Sequence, residues 1–138
     1  MNMAKLHSAV QQYNQVGVAS SVESASPHRL IQMLMAGALE KIAIAKGYME
    51  RQEIAKKGSH ISWAISIIDG LRASLNLEQG GEIAQNLDDL YDYMTRRLAR
   101  ANVENNTDLL DEVASLLRTI KGAWDEIPDD IRHMAHKS

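Results

Sequence analysis

Apolar residues recur every three or four positions through most of this chain and almost nowhere alternate one by one with polar residues. That period marks helices with one buried face and leaves strands without support. Ile31, Leu34, Ala38, Ile42, Ala45 and Met49 form one continuous seam. Ser26 and Pro27 stand just before it. Serine can accept from a free N–H of the first turn, and proline loses nothing there because its missing N–H would have no partner. A first helix is predicted from Ser26–Pro27 to about Gln52. A second, from about Glu53 to Asn76, has Ile61, Ala64, Ile65, Ile68, Leu71 and Leu75 as its seam, with Gly58 as a weak point near its start. Trp63 and Ile67 fall well off that seam.

The adjacent glycines Gly80 and Gly81 punctuate the pattern, and a third helix opens at about Glu82 and runs to Ala101. Ile83, Leu87, Leu90 and Met94 make its stripe. A polar turn follows from Asn102 to Thr107, with Asn106 and Thr107 as capping candidates. The fourth helix carries Leu109, Val113, Leu116, Ile120, Trp124 and Ile127, and Pro128 stops it. Gly37 and Gly47, inside the first helix, read as places where a neighbouring helix comes close. Four helices of similar length on short turns pack most simply as an antiparallel bundle. The fold class expected is all-α: a bundle over residues 26–127, a flexible N-terminal segment over 1–25 and a loose C-terminal tail over 128–138. Within the N-terminal segment, Leu6, Val10 and Tyr13 are spaced for one face of a short helix that either frays or docks.

The 138 residues suit a single domain with one core. A formal charge of -3 lacks the footprint of a general nucleic-acid binder. Without cysteine there is neither disulfide nor thiolate metal site. No signal-peptide pattern opens the chain, and no apolar run approaches the roughly 20 residues of a membrane span. A cytoplasmic protein without stable membrane insertion is the expectation.

Sites of chemistry are hard to find. His133 and His136 share a helix spacing but lack a third ligand of matching geometry, so no metal and no cofactor is expected. Asp88, Asp89 and Asp92 read as a solvated face, without the burial that raises a carboxylate for acid–base work. His60, with Lys56, Lys57 and Gly58 nearby, supports an alternative reading as a histidine phosphotransfer bundle, although the usual His-x-x-Lys-Gly order is absent. Self-association through an exposed apolar flank, giving a weak homodimer, is a third reading.

Surplus apolar surface points instead to binding another chain. Trp63 and Ile67 lie outside their helix's seam, where a large apolar pair is notable. Asn86, Tyr93 and Arg97 flank the third helix's stripe, where an amide, a phenol and a guanidinium can grip a helix or an extended peptide. The candidate partner-binding set is Trp63, Ile67, Leu71, Ala84, Asn86, Leu90, Tyr91, Tyr93 and Arg97, in shallow grooves between the second, third and fourth helices. No enzymatic activity is expected.

Five stretches, in order, carry a family likeness: ASPHRLIQML (Ala25 to Leu34), AISIIDGLRASL (Ala64 to Leu75), GGEIAQNLDDLYDYMTRRL (Gly80 to Leu98), Ala101, Asn102 and Asn106 at the turn, and EVASLLRTIKGAW (Glu112 to Trp124). The chain resembles the FliS family, the flagellar secretion chaperones of flagellin. It departs where the family often has a tyrosine and an acidic residue, since Met35 and Ala36 stand there. The resemblance implies an antiparallel bundle that binds the disordered C-terminal segment of flagellin, which becomes helical as it wraps around the chaperone. It also implies that polymerisation in the cytosol is prevented, that flagellin stays competent for flagellar type III secretion, and that the complex passes to the flagellar export gate. Leu6, Val10 and Tyr13 would then act as a displaceable N-terminal cover of the client surface.

Overall fold

A computed structural model describes residues 26–127, which form four helices: α1 (Pro27–Glu50), α2 (Ile54–Ala73), α3 (Leu77–Glu104) and α4 (Thr107–Glu126). Leu6, Val10, Tyr13, His133 and His136 lie outside the described residues. Each helix packs on the next, and α4 returns to α1, so the four close into an antiparallel bundle. No described helix is long and apolar enough to cross a membrane.

The ends of the helices follow from local chemistry. Ser26 is the N-cap of α1, its hydroxyl accepting from the Arg29 N–H at 3.1 Å, with Pro27 in the first turn. The turn into α2 passes through Gln52 at φ 61°. Helix α2 continues unbroken through Gly58 and ends at Ala73. Asn76 caps the next element, accepting from the Gln79 N–H at 3.1 Å. One turn later the backbone breaks at Gly81, with φ 53° and ψ -129°, a conformation that side chains with a Cβ rarely adopt. The long straight part of α3 therefore begins at Glu82. Asn105, left-handed at φ 52° and ψ 46°, ends α3, and Asn106 caps α4 by accepting from the Asp108 N–H at 2.9 Å.

A lysine secures the α3–α4 turn. Lys57 of α2 is 3 % exposed, and its ammonium donates to the Asn102 carbonyl at 2.9 Å and to the Asn105 side-chain oxygen at 2.7 Å. A cation at the carbonyl end of a helix is favourable both to the unfilled acceptors and to the helix dipole. Lys57 is thus a fastener between α2 and the end of α3.

The core is built mainly from leucine, isoleucine, alanine and methionine. Its largest fully buried members are Tyr91, Leu30, Ile31, Leu34, Met35, Ile61, Ile67, Ile68, Leu71, Met94 and Leu98. Two expectations need correction. Ile83, placed on the core-facing stripe of α3, is 57 % exposed. The face that α3 buries is instead Ala84, Tyr91, Met94, Leu98 and Ala101, rotated from the predicted stripe. Gly47 is crowded by no neighbouring helix: a Cβ there would meet the Arg51 guanidinium of the same turn at 3.1 Å.

Candidate functional site

The two helices α3 and α4 make the least contact of the four neighbouring pairs. Their buried positions are unevenly distributed. In the half of α3 nearest α4's N-terminus, Tyr91, Met94, Leu98 and Ala101 are all buried; in the other half only Gly80 and Ala84 are. On α4, Leu117 and Trp124 are buried but Ile120 between them is only half-buried. Where these thin stretches face each other, an apolar groove of about 180 Å³ opens. Ile83 and Leu87 line it from α3, and Ile120, Ala123, Trp124 and Ile127 from α4 and its end. Met35, fully buried on α1, is the remaining lining residue. A 150 Å³ cavity holds a benzene ring, so this groove has room for one large apolar side chain.

The walls are secured to other helices. Gln32 of α1 donates to Asp125 at 2.7 Å, the Trp124 indole N–H donates to the His28 carbonyl at 3.1 Å, and the His28 ring stacks on Trp124 at 4.8 Å. These contacts hold the end of α4 against the start of α1. Hydrogen bonds from Lys121 and Gln32 keep the Asp125 carboxyl below the usual carboxylate range, the first being the stronger cause. On the other wall, Arg72 of α2 grips Asp88 through two nitrogens at 2.7 and 3.3 Å and reaches Asp92 at 3.0 Å. Asp88 and Asp92 therefore join α2 to α3 and are more than a solvated face.

At the far end of the seam, Tyr93 and Arg97 of α3 converge on Glu112 of α4. The phenol donates to one carboxylate oxygen at 2.5 Å and the Arg97 Nε to the other at 2.8 Å. Those two hydrogen bonds hold Glu112 below its ordinary range, and the bond to Glu112 pushes the Tyr93 phenol up.

The nine candidate residues divide clearly. Ile67, Leu71, Ala84 and Tyr91 are buried, at 2, 0, 0 and 0 % exposure, and face the bundle interior. Burial pushes the Tyr91 phenol well above its usual pKa. The exposure expected of Ile67 is contradicted because α2 packs on both α1 and α3 and so buries an arc wider than one seam. Trp63 is half-buried at the α1–α2 seam, away from the groove, with the Lys41 ammonium 3.8 Å from its ring centroid. Tyr93 and Arg97 serve the bundle, since the carboxylate before Arg97 is the chain's own Glu112. Leu90 is half-buried and Asn86 exposed on α3. Of the seven groove residues, Ile83, Leu87, Ile120, Trp124 and Ile127 read from sequence as helix seam, Met35 as a departure from the family pattern, and Ala123 carries no signal. The available signal was α3 itself, whose Ile83–Leu87–Leu90 stripe and Ala84–Tyr91–Leu98 stripe exceed one core face.

The His60 Nδ1 donates to the Lys56 carbonyl at 2.9 Å, and its ring centroid lies 5.2 Å from that of Tyr48 and 6.0 Å from that of Trp63. Nearby Lys57 is spent on the α3 terminus. Among the described residues no group of three or more histidine, aspartate or glutamate side chains is placed to hold a metal ion.

A family profile described as "Flagellar protein FliS" matches residues 9–130. The chain is 55 % identical over 119 residues to the flagellar secretion chaperone FliSB of Pseudomonas aeruginosa, covering 86 % of this chain and 94 % of that protein. It is 42 % identical over 129 residues to the flagellar secretion chaperone FliS of Vibrio cholerae, covering 94 % and 95 % respectively. Against the protein of that name from Salmonella typhimurium it is 49 % identical over 121 residues, covering 87 % and 90 %.

Proposed function

The chain belongs to the FliS family of flagellar secretion chaperones, and from that premise we propose that it binds the disordered C-terminal segment of flagellin. Members of this family are not catalysts. Binding takes place in the cytoplasm, prevents premature polymerisation there, and keeps flagellin competent for flagellar type III secretion until the complex reaches the export gate. The α3–α4 groove receives the client. The observation that carries this reading is Ile83, 57 % exposed beside the apolar side chains of Leu87, Ile120 and Ile127.

Magnitudes agree with that role. A segment that folds on docking must recover an ordering cost of about 2–5 kcal/mol or more. Burying one isoleucine or leucine side chain contributes roughly 1.5–3 kcal/mol. Two or three anchors meeting the groove and its rim are enough. Asn86 and Leu90, on the same helix, extend the contact beyond the groove, and the segment carrying Leu6, Val10 and Tyr13 covers the surface until client arrives.

The test is a calorimetric titration of the full chain with the C-terminal segment of flagellin, followed by circular dichroism. One-to-one binding with added helix is expected. Absence of both binding heat and added helicity would refute the client assignment. Binding retained in full by a chain with both Ile83→Ser and Ile120→Ser would move the site elsewhere on the bundle.

A further inference from the structure

The groove and the Tyr93–Arg97–Glu112 contact occupy the same pair of helix faces. On α4, Glu112, Leu116, Ile120, Ala123 and Ile127 recur at steps of three or four, and on α3 so do Arg97, Tyr93, Leu90, Leu87 and Ile83. Each stripe is polar near the connecting turn and apolar toward the open end. The two stripes antiparallel to each other therefore make one seam, clasped at one end and open at the other. Glu112 and Ile120 are eight residues apart, about 12 Å along the helix.

The pattern of ties makes this clasp consequential. Helix α4 is held to α1 by Gln32–Asp125 and by the Lys46–Asp111 ion pair at 3.0 Å. Helix α3 is held to α2 by Arg72 and Lys57. Between α3 and α4 themselves, Tyr93 and Arg97 both donate to Glu112. Apolar packing is also thinnest in this pair.

We propose that the clasp of Tyr93 and Arg97 on Glu112 sets the splay of α3 against α4 and thereby the width of the groove, with Glu112 as the positioning residue. Its carboxylate touches no client. It acts through the angle between two helices, one tied to α1 and the other to α2. The effect on client binding rests on the groove being the client's site; the effect on groove width does not.

The absence of cysteine from the chain allows clean labelling. Gln85 and Gly122 are exposed on the two walls, and a Cβ at Gly122 meets nothing within 4 Å. Spin labels at Q85C and G122C in the full chain report the width as a distance distribution. Glu112→Ala is expected to lengthen and broaden it, and Tyr93→Phe, which removes one of the two donors, to do so less. The exchanged pair Arg97→Glu with Glu112→Arg restores it. Lys46→Ala, which breaks an ion pair of the same helix with α1, leaves it unchanged, a difference that general loss of stability would not produce. Titration with the flagellin C-terminal segment should show Glu112→Ala binding roughly three- to tenfold more weakly. Unaltered distances in both Glu112→Ala and Tyr93→Phe overturn the proposal, and so does an equal change in Lys46→Ala. Altered distances restored by the exchanged pair sustain it even if the flagellin segment binds neither protein, a result that would refute the client reading alone.

Discussion

The α1–α2 half of the bundle and the α3–α4 half are made of similar residues put to different uses. Helix α1 buries 10 of its 24 residues, whereas α3, the longest helix, buries only 6 of 28. The α1–α2 contact is the most extensive in the molecule, and its exposed edge is sealed where Lys41 lies on Trp63. In the other half, apolar side chains at one end of the seam meet solvent and a charged clasp holds the opposite end. One half makes the fold and the other leaves part of its apolar surface unspent. The difference implies that truncations in the first half act on stability and those in the second on binding.

The largest effect should come from Ile67→Ala. Removing a buried isoleucine side chain is expected to cost about 2–5 kcal/mol, depending on how far the site collapses. The measurement is urea unfolding, with the shift read at the midpoint. A loss below about 1 kcal/mol, with client binding abolished, would return Ile67 to the partner surface and erase the contrast between the halves. Next is Lys57→Ala, which strips the last turn of α3 of its buried cation. Loss of the charged hydrogen bonds to Asn102 and Asn105 predicts about 1.5–3 kcal/mol of destabilisation. Amide exchange should quicken first around Asn102 to Asn106, at the end of the seam away from the groove. Uniform quickening along α3 would mean that Lys57 does not act at the terminus.

The fold was legible because each helix advertises itself locally. Ser26–Pro27, Gly81 and Asn106 stand at boundaries that the backbone adopts, and the apolar spacing between them decides the class. The site was less legible because periodicity gives the angle of a residue about its helix and says nothing of how many neighbours that helix has. Helix α2 has two, so Ile67 and Leu71 are interior although one of them falls off the seam. Helix α3 separates from α4 at one end, so Ile83 is exposed although it falls on a seam. Tyr93 and Arg97 were recognisable as unusual beside apolar surface, but their partner, Glu112, lies on another helix. The segment holding Leu6, Val10 and Tyr13 lies outside the described residues.

On the open side, Ile83→Ser sharpens the comparison by reversing its sign. An exposed isoleucine gives little to stability, so the unfolding midpoint should move by no more than about 0.5 kcal/mol. Affinity for the flagellin C-terminal segment should fall roughly tenfold, the counterpart of one partly lost apolar anchor. Calorimetry on the same preparation reads both. A protein that loses stability but binds as before would show Ile83 working inside the bundle.

The smallest effect is a dependence on pH confined to the second half. Glu112 is held below its ordinary value of 4.5, first by the Tyr93 hydrogen bond and then by that from Arg97. Its folded pKa thus lies below its unfolded one, so the folded state favours the ionised carboxylate. The contribution is complete above 4.5 and is lost as pH falls through the lowered folded value. Near neutral pH the clasp is insensitive to acidity, because the Tyr93 phenol, raised by the same contact, also keeps its proton. The difference in urea midpoint between the natural chain and Glu112→Gln should therefore be flat from neutrality down to the carboxylate range and shrink below it. Asp125 is also held low, but it faces Gln32 and Lys121 and is present in both proteins, so it cancels from the difference. A difference that instead grew on acidification would mean that protonated Glu112 fits this seam better than the carboxylate, and that charge is not what draws the loosely packed pair together.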